Sequence, residues 1–380
     1  MISRKKPEPL AVQVDAGESW HAESGLTAEP FLGSEYGFHT GELQHPCTRE
    51  ELIFQCNTAP ATPLVWTPET RRLVPPEAVP FLAEELARYR RKNAESGMVR
   101  FGLGLLAVLA AYALWLPDLG FRSILVILPV FLAIRLVGAI HGRVEALRTD
   151  ASAFPAARAR LRHAAWIQGQ PARYTEALLG LLIVLFVAEL FKGQDAAIQA
   201  AGLVKPAIRN GQLWRVVTAP LLHVNYLHIW MNGLALLSTG RLVEAHSRRE
   251  YLPLAFFLSA LVGSLASVVF YPATTSVGAS GGIMGVIGFI LVLSYQRRET
   301  LPPGFSRSIL VSIAATAVMG LVAYSVIDNA AHLGGLVAGV LLALIVDLRP
   351  ANSPASRLFG YLASAGILAG AVTALIAMFG

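Results

Sequence analysis

The stretch GASGGIMGVIG, residues 278–288, decides how the rest of the chain is read. It opens an apolar run that continues to residue 296, and Ser280 sits where a helix would begin. Gly281, Gly282, Gly285 and Gly288 recur along that run and let a neighbouring helix backbone approach closely. A serine at a helix N-terminus has unpaired backbone N–H groups beside it, and these suit a developing negative charge.

A matching pattern lies downstream. In DNAAHLGGLVAGVLLAL, residues 328–344, His332 begins a run whose Gly335 and Gly339 form a small-xxx-small face. Packing that face against the glycines after Ser280 would bring the Ser280 hydroxyl and the His332 imidazole together. A third cluster is HVNYLHIWMN, residues 223–232, where His228 and Asn232 are four apart and project from one helical face. His223 lies about one turn earlier. Polar groups in apolar helices are costly, so each one poses a functional question. Taken together they suit acyl transfer: a base activates a serine while N–H donors hold the charge that develops on the attacked carbonyl.

The surroundings of these stretches are membrane-like. The 380 residues are 54% hydrophobic and 15% charged, with a mean hydropathy of +0.53; soluble domains carry roughly 25% charge. Apolar runs at 98–116, 121–140, 174–191, 224–243, 251–270, 280–296, 307–326, 331–348 and 357–379 approach the ~20 residues that a spanning helix needs. The expected fold class is therefore an all-α polytopic membrane protein. The N-terminus, MISRKKPEPL, leads into no apolar segment, so no signal peptide is expected.

Basic residues orient the spans. Arg88, Arg90, Arg91, Arg143, Arg248, Arg249, Arg297, Arg298, Arg307, Arg349 and Arg357 can all lie on one side, which puts the N-terminus in the cytoplasm and the C-terminus outside. His228, Asn232, Ser280 and His332 then share the outer ends of their helices. Arg122 is an exception, as is the 192–222 loop with Lys192, Lys205, Arg209 and Arg215. The net charge of +6 reflects this sidedness, and no nucleic-acid partner is indicated.

The front of the chain divides by composition. Residues 1–45 read as mostly irregular, and 46–97 as a small cytosolic unit in which ELIFQC and PLVWT look like short strands before a helical EAVPFLAEELARYRRKN. Two extra spans at 98–140 and a basic connector at 141–172 follow. Cys47 and Cys56 indicate no disulfide framework, and with His39 and His45 they match no familiar metal-ligand spacing, so no metal site is expected. Glu189 and Arg135 are lone charges near span ends, read as snorkelling to the interface. Asp328, just ahead of the His332 helix, reads as a cap more readily than as a third catalytic member.

The three polar stretches resemble the rhomboid family of intramembrane serine proteases, and Trp214-Arg215 is similar to the Trp-Arg element before that family's second core helix. The resemblance covers about residues 173–348. It implies a six-helix core over 173–348, a C-terminal transmembrane helix in 349–380, and two N-terminal helices outside the core. It further implies Ser280 as nucleophile and His332 as general base and then acid, with Asn232, His228 and the Ser280 N–H forming an oxyanion hole. Gly278, His223, Trp214 and Arg215 would support them, and the 192–222 loop would be the family's membrane-embedded loop. Family members often carry an aromatic residue four after the nucleophile, where this chain has Met284, a softer contact for a histidine ring.

The resulting expectation is a serine endopeptidase without cofactor or metal, in a bacterial inner membrane, cutting transmembrane proteins near the outer face. Substrate helices with weak helix formers would unwind there most readily. The lipid bilayer is the surrounding partner, and the N-terminal region is where a cytosolic partner of unknown identity would dock. Two rival readings are a catalytically silent rhomboid-like protein that binds transmembrane segments, and a transporter or channel whose polar groups line a pathway. The presence of both Ser280 and His332 weighs against the first. Polar groups gathered near one face, without inverted repeats, weigh against the second.

Overall fold

The computed structural model describes residues 10–11, 36–40, 43–58, 64–69, 79–115 and 170–380 apart from 325 and 350–353, plus a few isolated positions between 74 and 169. The segment expected to form a span at 121–140, Arg135 within it, and nearly all of the connector at 141–172 lie outside the described residues. The chain divides into two units, one made mainly of residues 1–169 and one mainly of residues 170–380.

In the first unit, strands β1 (Leu10–Ala11), β2 (Tyr36–Thr40), β3 (Leu43–Cys47) and β4 (Leu64–Trp66) form an antiparallel sheet in the order β1-β3-β2-β4. Most of residues 1–45, expected to be irregular, lie outside the described residues, and those described there belong to β1, β2 and the start of β3. The expectation for ELIFQC is corrected: it lies inside helix α1 (Arg49–Thr58), not in a strand. The cause is a capping box immediately upstream. The Thr48 hydroxyl accepts from Glu51 N–H at 3.2 Å, while the Glu51 carboxylate accepts from Thr48 N–H at 3.1 Å, so two otherwise unpaired donors are satisfied and the helix is nucleated. Leu52 and Cys56, four apart on α1, then face the sheet and pack with Cys47, Val65 and Val74.

Helix α2 (Pro80–Trp115) begins on a proline, which suits a first helical position because its missing N–H would be unpaired there in any case. Leu82 and Leu86 close the core of the N-terminal unit. The helix runs on without a break into the expected first span, where Val99, Leu103 and Leu106 are exposed.

The second unit is helical. Its helices are α3 (Arg173–Lys192), α4 (Gln194–Ala201), α5 (Lys205–Arg209), α6 (Arg215–Thr218), α7 (Tyr226–His246), α8 (Tyr251–Phe270), α9 (Ser280–Gln296), α10 (Phe305–Val322), α11 (Asn329–Ile345) and α12 (Pro354–Phe379). Each apolar run read from residue 174 onward coincides with one of the longer helices. The two-residue strands β5 (Leu203–Val204) and β6 (Thr275–Ser276) pair antiparallel. Among the described residues, α3, α8, α10 and α12 are long and apolar enough to cross a membrane, which makes this a multi-pass membrane protein. Helix α10 buries only Ile309 and Gly320, as a helix at the lipid-facing periphery would.

Helix α9 lies at the centre, buried along most of its length between α7, α8 and α11. Its approach to α11 is set by glycine. A Cβ added at Gly335 would come within 2.0 Å of Gly281 O, and one at Gly339 within 1.8 Å of Gly285 O. These are backbone atoms and cannot swing aside.

Two outcomes are expected. Gly339→Ala should separate the helices and cost roughly 1–3 kcal/mol or more by overpacking; an unchanged thermal unfolding midpoint in detergent would contradict this packing. In the N-terminal unit, burial, reinforced by the Glu51 charge, pushes the Cys47 thiol up to about 12. Cys47 should therefore react with iodoacetamide at pH 8 at least about tenfold more slowly than a free thiol, and at the ordinary rate after denaturation.

Candidate active site

Ser280 is the first residue of α9, and His332 lies in the first turn of α11. The glycine contact between the two helices fixes the separation of these turns, and His332 Nε2 lies 2.8 Å from Ser280 Oγ. That is a hydrogen bond of the length expected between a serine nucleophile and its base. The start of α11 is capped by Asp328, whose Oδ1 accepts from Ala331 N–H at 2.9 Å, in agreement with the cap reading of that residue.

Gly278 shapes the approach to Ser280. Its φ of +125° is rarely open to residues with a side chain. A Cβ there would stand 2.5 Å from His228 Cε1, 2.8 Å from its Nε2 and 3.7 Å from Asn232 Nδ2. The absent side chain is thus what lets α7 bring His228 and Asn232 against the loop that leads into Ser280. Asn225 caps α7, its Oδ1 accepting from His228 N–H at 2.9 Å, and so sets where that first turn begins. Asn232 is buried, and no hydrogen-bond acceptor faces its Nδ2 among the described residues. A buried, unpaired donor beside a serine can hold an oxyanion at no cost in reorganisation.

His223 is fully buried and stacks edge-on against His228, with ring centroids 5.1 Å apart. Burial and the neighbouring His228 push its imidazole down to about 3, so the ring is neutral. Its backbone N–H donates to both carboxylate oxygens of Glu189, at 3.2 and 3.0 Å. Glu189 is itself fully buried, which corrects the snorkelling expectation. A carboxylate inside the bundle was legible only as a charge near a span end, because its partner is a backbone group that sequence does not display.

Trp214 and Arg215 hold the loop instead of touching the Ser280 pair. The buried Arg215 guanidinium donates to Gln199 O at 3.0 Å, Gly202 O at 2.8 Å and Gln212 Oε1 at 2.7 Å, and it lies 4.7 Å from the centre of the Trp214 ring. The loop is thereby folded into short helices, and Ala219 O accepts from Gly278 N–H at 3.0 Å, anchoring the segment before Ser280. Met284 is buried in the core of the second unit, one turn into α9. Cys47 and Cys56 are buried and not joined in a disulfide, and no cluster of His, Cys, Asp or Glu able to hold a metal occurs among the described residues.

Ser267 and Ser276 carry no signal in the sequence, and Lys205 stands out there only as one of the positive charges of the 192–222 loop. Lys205 is fully buried and donates to Ser276 Oγ at 2.6 Å. Burial draws its ammonium down to about 8, against the pull of the Asp328 charge. A lysine within the long 192–222 loop, followed by a proline, carries no sequence signal of burial.

Comparison with known proteins matches this region. The family model described as the rhomboid domain matches residues 210–349, which include Trp214, His228, Asn232, Ser280 and His332. Over 203 residues the chain is 31% identical to the rhomboid protease GluP of Bacillus subtilis (strain 168), covering 52% of this chain and 40% of that protein. It is 38% identical over 142 residues to rhomboid-like protease 3 of Toxoplasma gondii, covering 36% of this chain and 53% of the relative. A second Bacillus subtilis protein, YdcA, whose name also places it among rhomboid proteins, is 30% identical over 139 residues that make up 69% of its length. The chain spans about half the length of the first two of these curated relatives. On this similarity the chain belongs to the rhomboid family.

Proposed function

We propose that the chain is an intramembrane serine endopeptidase that hydrolyses a peptide bond in or beside a substrate's transmembrane helix, near the outer membrane face. The observation that carries this reading is the 2.8 Å contact between Ser280 Oγ and His332 Nε2 at the starts of α9 and α11. His332 takes the Ser280 proton as Oγ attacks the carbonyl carbon, and returns it to the leaving amine as the tetrahedral intermediate collapses. Water then attacks the acyl-enzyme with His332 again as base, releasing the second product and restoring the Ser280 hydroxyl. The oxyanion in each half is held by the Ser280 N–H at the N-terminus of α9 and by Asn232 and His228 from α7.

Helices α9 and α11 are 17 residues each, about 26 Å long against a hydrocarbon core of about 30 Å. If their far ends reach the interface, Ser280 and His332 lie below the opposite surface. Sidedness follows from the far ends: Arg297 and Arg298 close α9, Arg248 and Arg249 follow α7, and Arg349 follows α11, each opposite the reacting residues. We accordingly place the N-terminus in the cytoplasm, the C-terminus outside, and the protein in a bacterial inner membrane. The protease core takes in residues 173–348, with six long helices, α3 and α7 to α11, and α12 is appended. Transmembrane proteins are the proposed substrates. A cytosolic partner would meet the small N-terminal unit.

Cleavage of a fluorescent transmembrane reporter in liposomes tests the reading. Ser280→Ala and His332→Ala should each lower turnover by at least about 10³-fold; cleavage by neither the folded wild type nor the variants would leave a silent binder or a transport protein, and equal cleavage by all three would remove Ser280 and His332 from the reaction. Gly278→Ala should displace His228 and lower kcat by roughly 10²-fold. Wild-type turnover from a folded Gly278→Ala protein would remove His228 from the oxyanion hole.

A further inference from the structure

Lys205, Ser276, Ser267 and Asp328 join four separate segments in one hydrogen-bonded network, with Lys205 and Ser267 fully buried. Lys205 begins α5 in the loop, and its Nζ donates to Ser276 Oγ at 2.6 Å. Ser276 ends β6, four residues before Ser280, and its hydroxyl donates to Asp328 Oδ2 at 2.6 Å. Ser267, from α8, donates to the same carboxylate oxygen. The other oxygen, Oδ1, holds the N–H of Ala331, the residue before His332. The pairing of Leu203 with Ser276 and of Val204 with Thr275 sets the register in which Lys205 meets Ser276.

The arrangement has a definite polarity. The buried Lys205 ammonium faces the half-buried Asp328 carboxylate across one hydroxyl, which accepts from the first and donates to the second. Withdrawing charge from water is costly, and well-packed apolar side chains would hold the same segments together at least as firmly. What charges add is a direction-dependent link, and this one ends on the turn ahead of each member of the Ser280–His332 pair. None of the four residues has to touch a substrate.

We infer that Lys205, acting through Ser276 and Asp328, is a positioning residue that fixes the starts of α9 and α11 against each other and so holds Ser280 Oγ within reach of His332. This rests on the protease reading above.

Reporter cleavage by the full chain in liposomes tests it, together with labelling of Ser280 by a fluorophosphonate probe. Lys205→Met and Ser276→Ala should each lower kcat and probe labelling by roughly 10- to 100-fold, as misplacement of a reacting pair does, with KM little changed. Ser276→Thr, which keeps the hydroxyl, should restore most of the rate. With Asp328→Asn already present, Lys205→Met should cause no further loss, since the charge it answers is gone. Should Lys205→Met not fold, the Ser276→Ala and Ser276→Thr pair carries the test. Unchanged kcat in folded Ser276→Ala, loss confined to KM, or fully additive losses with Asp328→Asn would overturn the inference while leaving the protease reading intact. A wild-type protein that neither cleaves reporters nor labels at Ser280 would overturn both.

Discussion

Two glycine hydrogens stand where side chains would otherwise force the Ser280 helix and the His332 helix apart. Gly335 and Gly339 on α11 meet the backbone oxygens of Gly281 and Gly285 on α9 so closely that a single methyl group would overlap them. In lipid no hydrophobic driving force pulls helices together, because the tails are as apolar as leucine, and association depends on close packing and interhelical polar contacts. The glycine seam supplies the first of these along the first half of α9, and everything at the N-terminal ends of the two helices inherits its geometry. A hydroxyl and an imidazole on separate helices cannot hold a 2.8 Å contact unless the axes between them are fixed to better than about 1 Å.

The second constraint is that polar groups removed from water must be answered inside the protein. The core meets it with carboxylates placed on backbone donors. Glu189 takes the His223 N–H, Glu244 takes the N–H groups of Tyr174 and Thr175 with the Thr175 hydroxyl, and Asp328 takes the Ala331 N–H with two serine hydroxyls. Each ties a loop or helix end to a different helix. The acidic side chains of the core sit where segments join, and the apolar helix middles are left to packing.

How much of this could be read in advance depended on whether the signal is local. Ser280 with its glycines, His332 with its own, and the His228–Asn232 pair are patterns along single helices, so they were legible. The helix boundaries from residue 174 onward were legible for the same reason. The Thr48–Glu51 capping box was equally local and present in the sequence, but the aromatic and β-branched character of ELIFQC outweighed it. Glu189, Lys205, Ser267 and Ser276 were not legible at all. Their partners lie 34 residues away for Glu189, 71 for Lys205 and 61 for Ser267, and the property that matters, burial with a specific partner, exists only after the helices have packed.

That division has a physical consequence for the site. The residues that would do chemistry are carried on rigid helix starts, where glycine packing sets distance to a fraction of an ångström. The residues that keep those starts in register come from the loop that carries Arg215 and Lys205, and that loop is held by Arg215 on the carbonyls of Gln199 and Gly202 and by the Ala219 carbonyl on Gly278 N–H. Distance along the helices and register across their ends are therefore set by two different interactions, one apolar and short-ranged, one charged and directional. A shift of one helix along the other would keep most of the apolar contact but break the Ser276–Asp328 link, because a hydrogen bond of 2.6 Å weakens over displacements that a glycine seam can absorb. The polar network is the more exacting of the two, and it lies next to the pair whose geometry has the least tolerance.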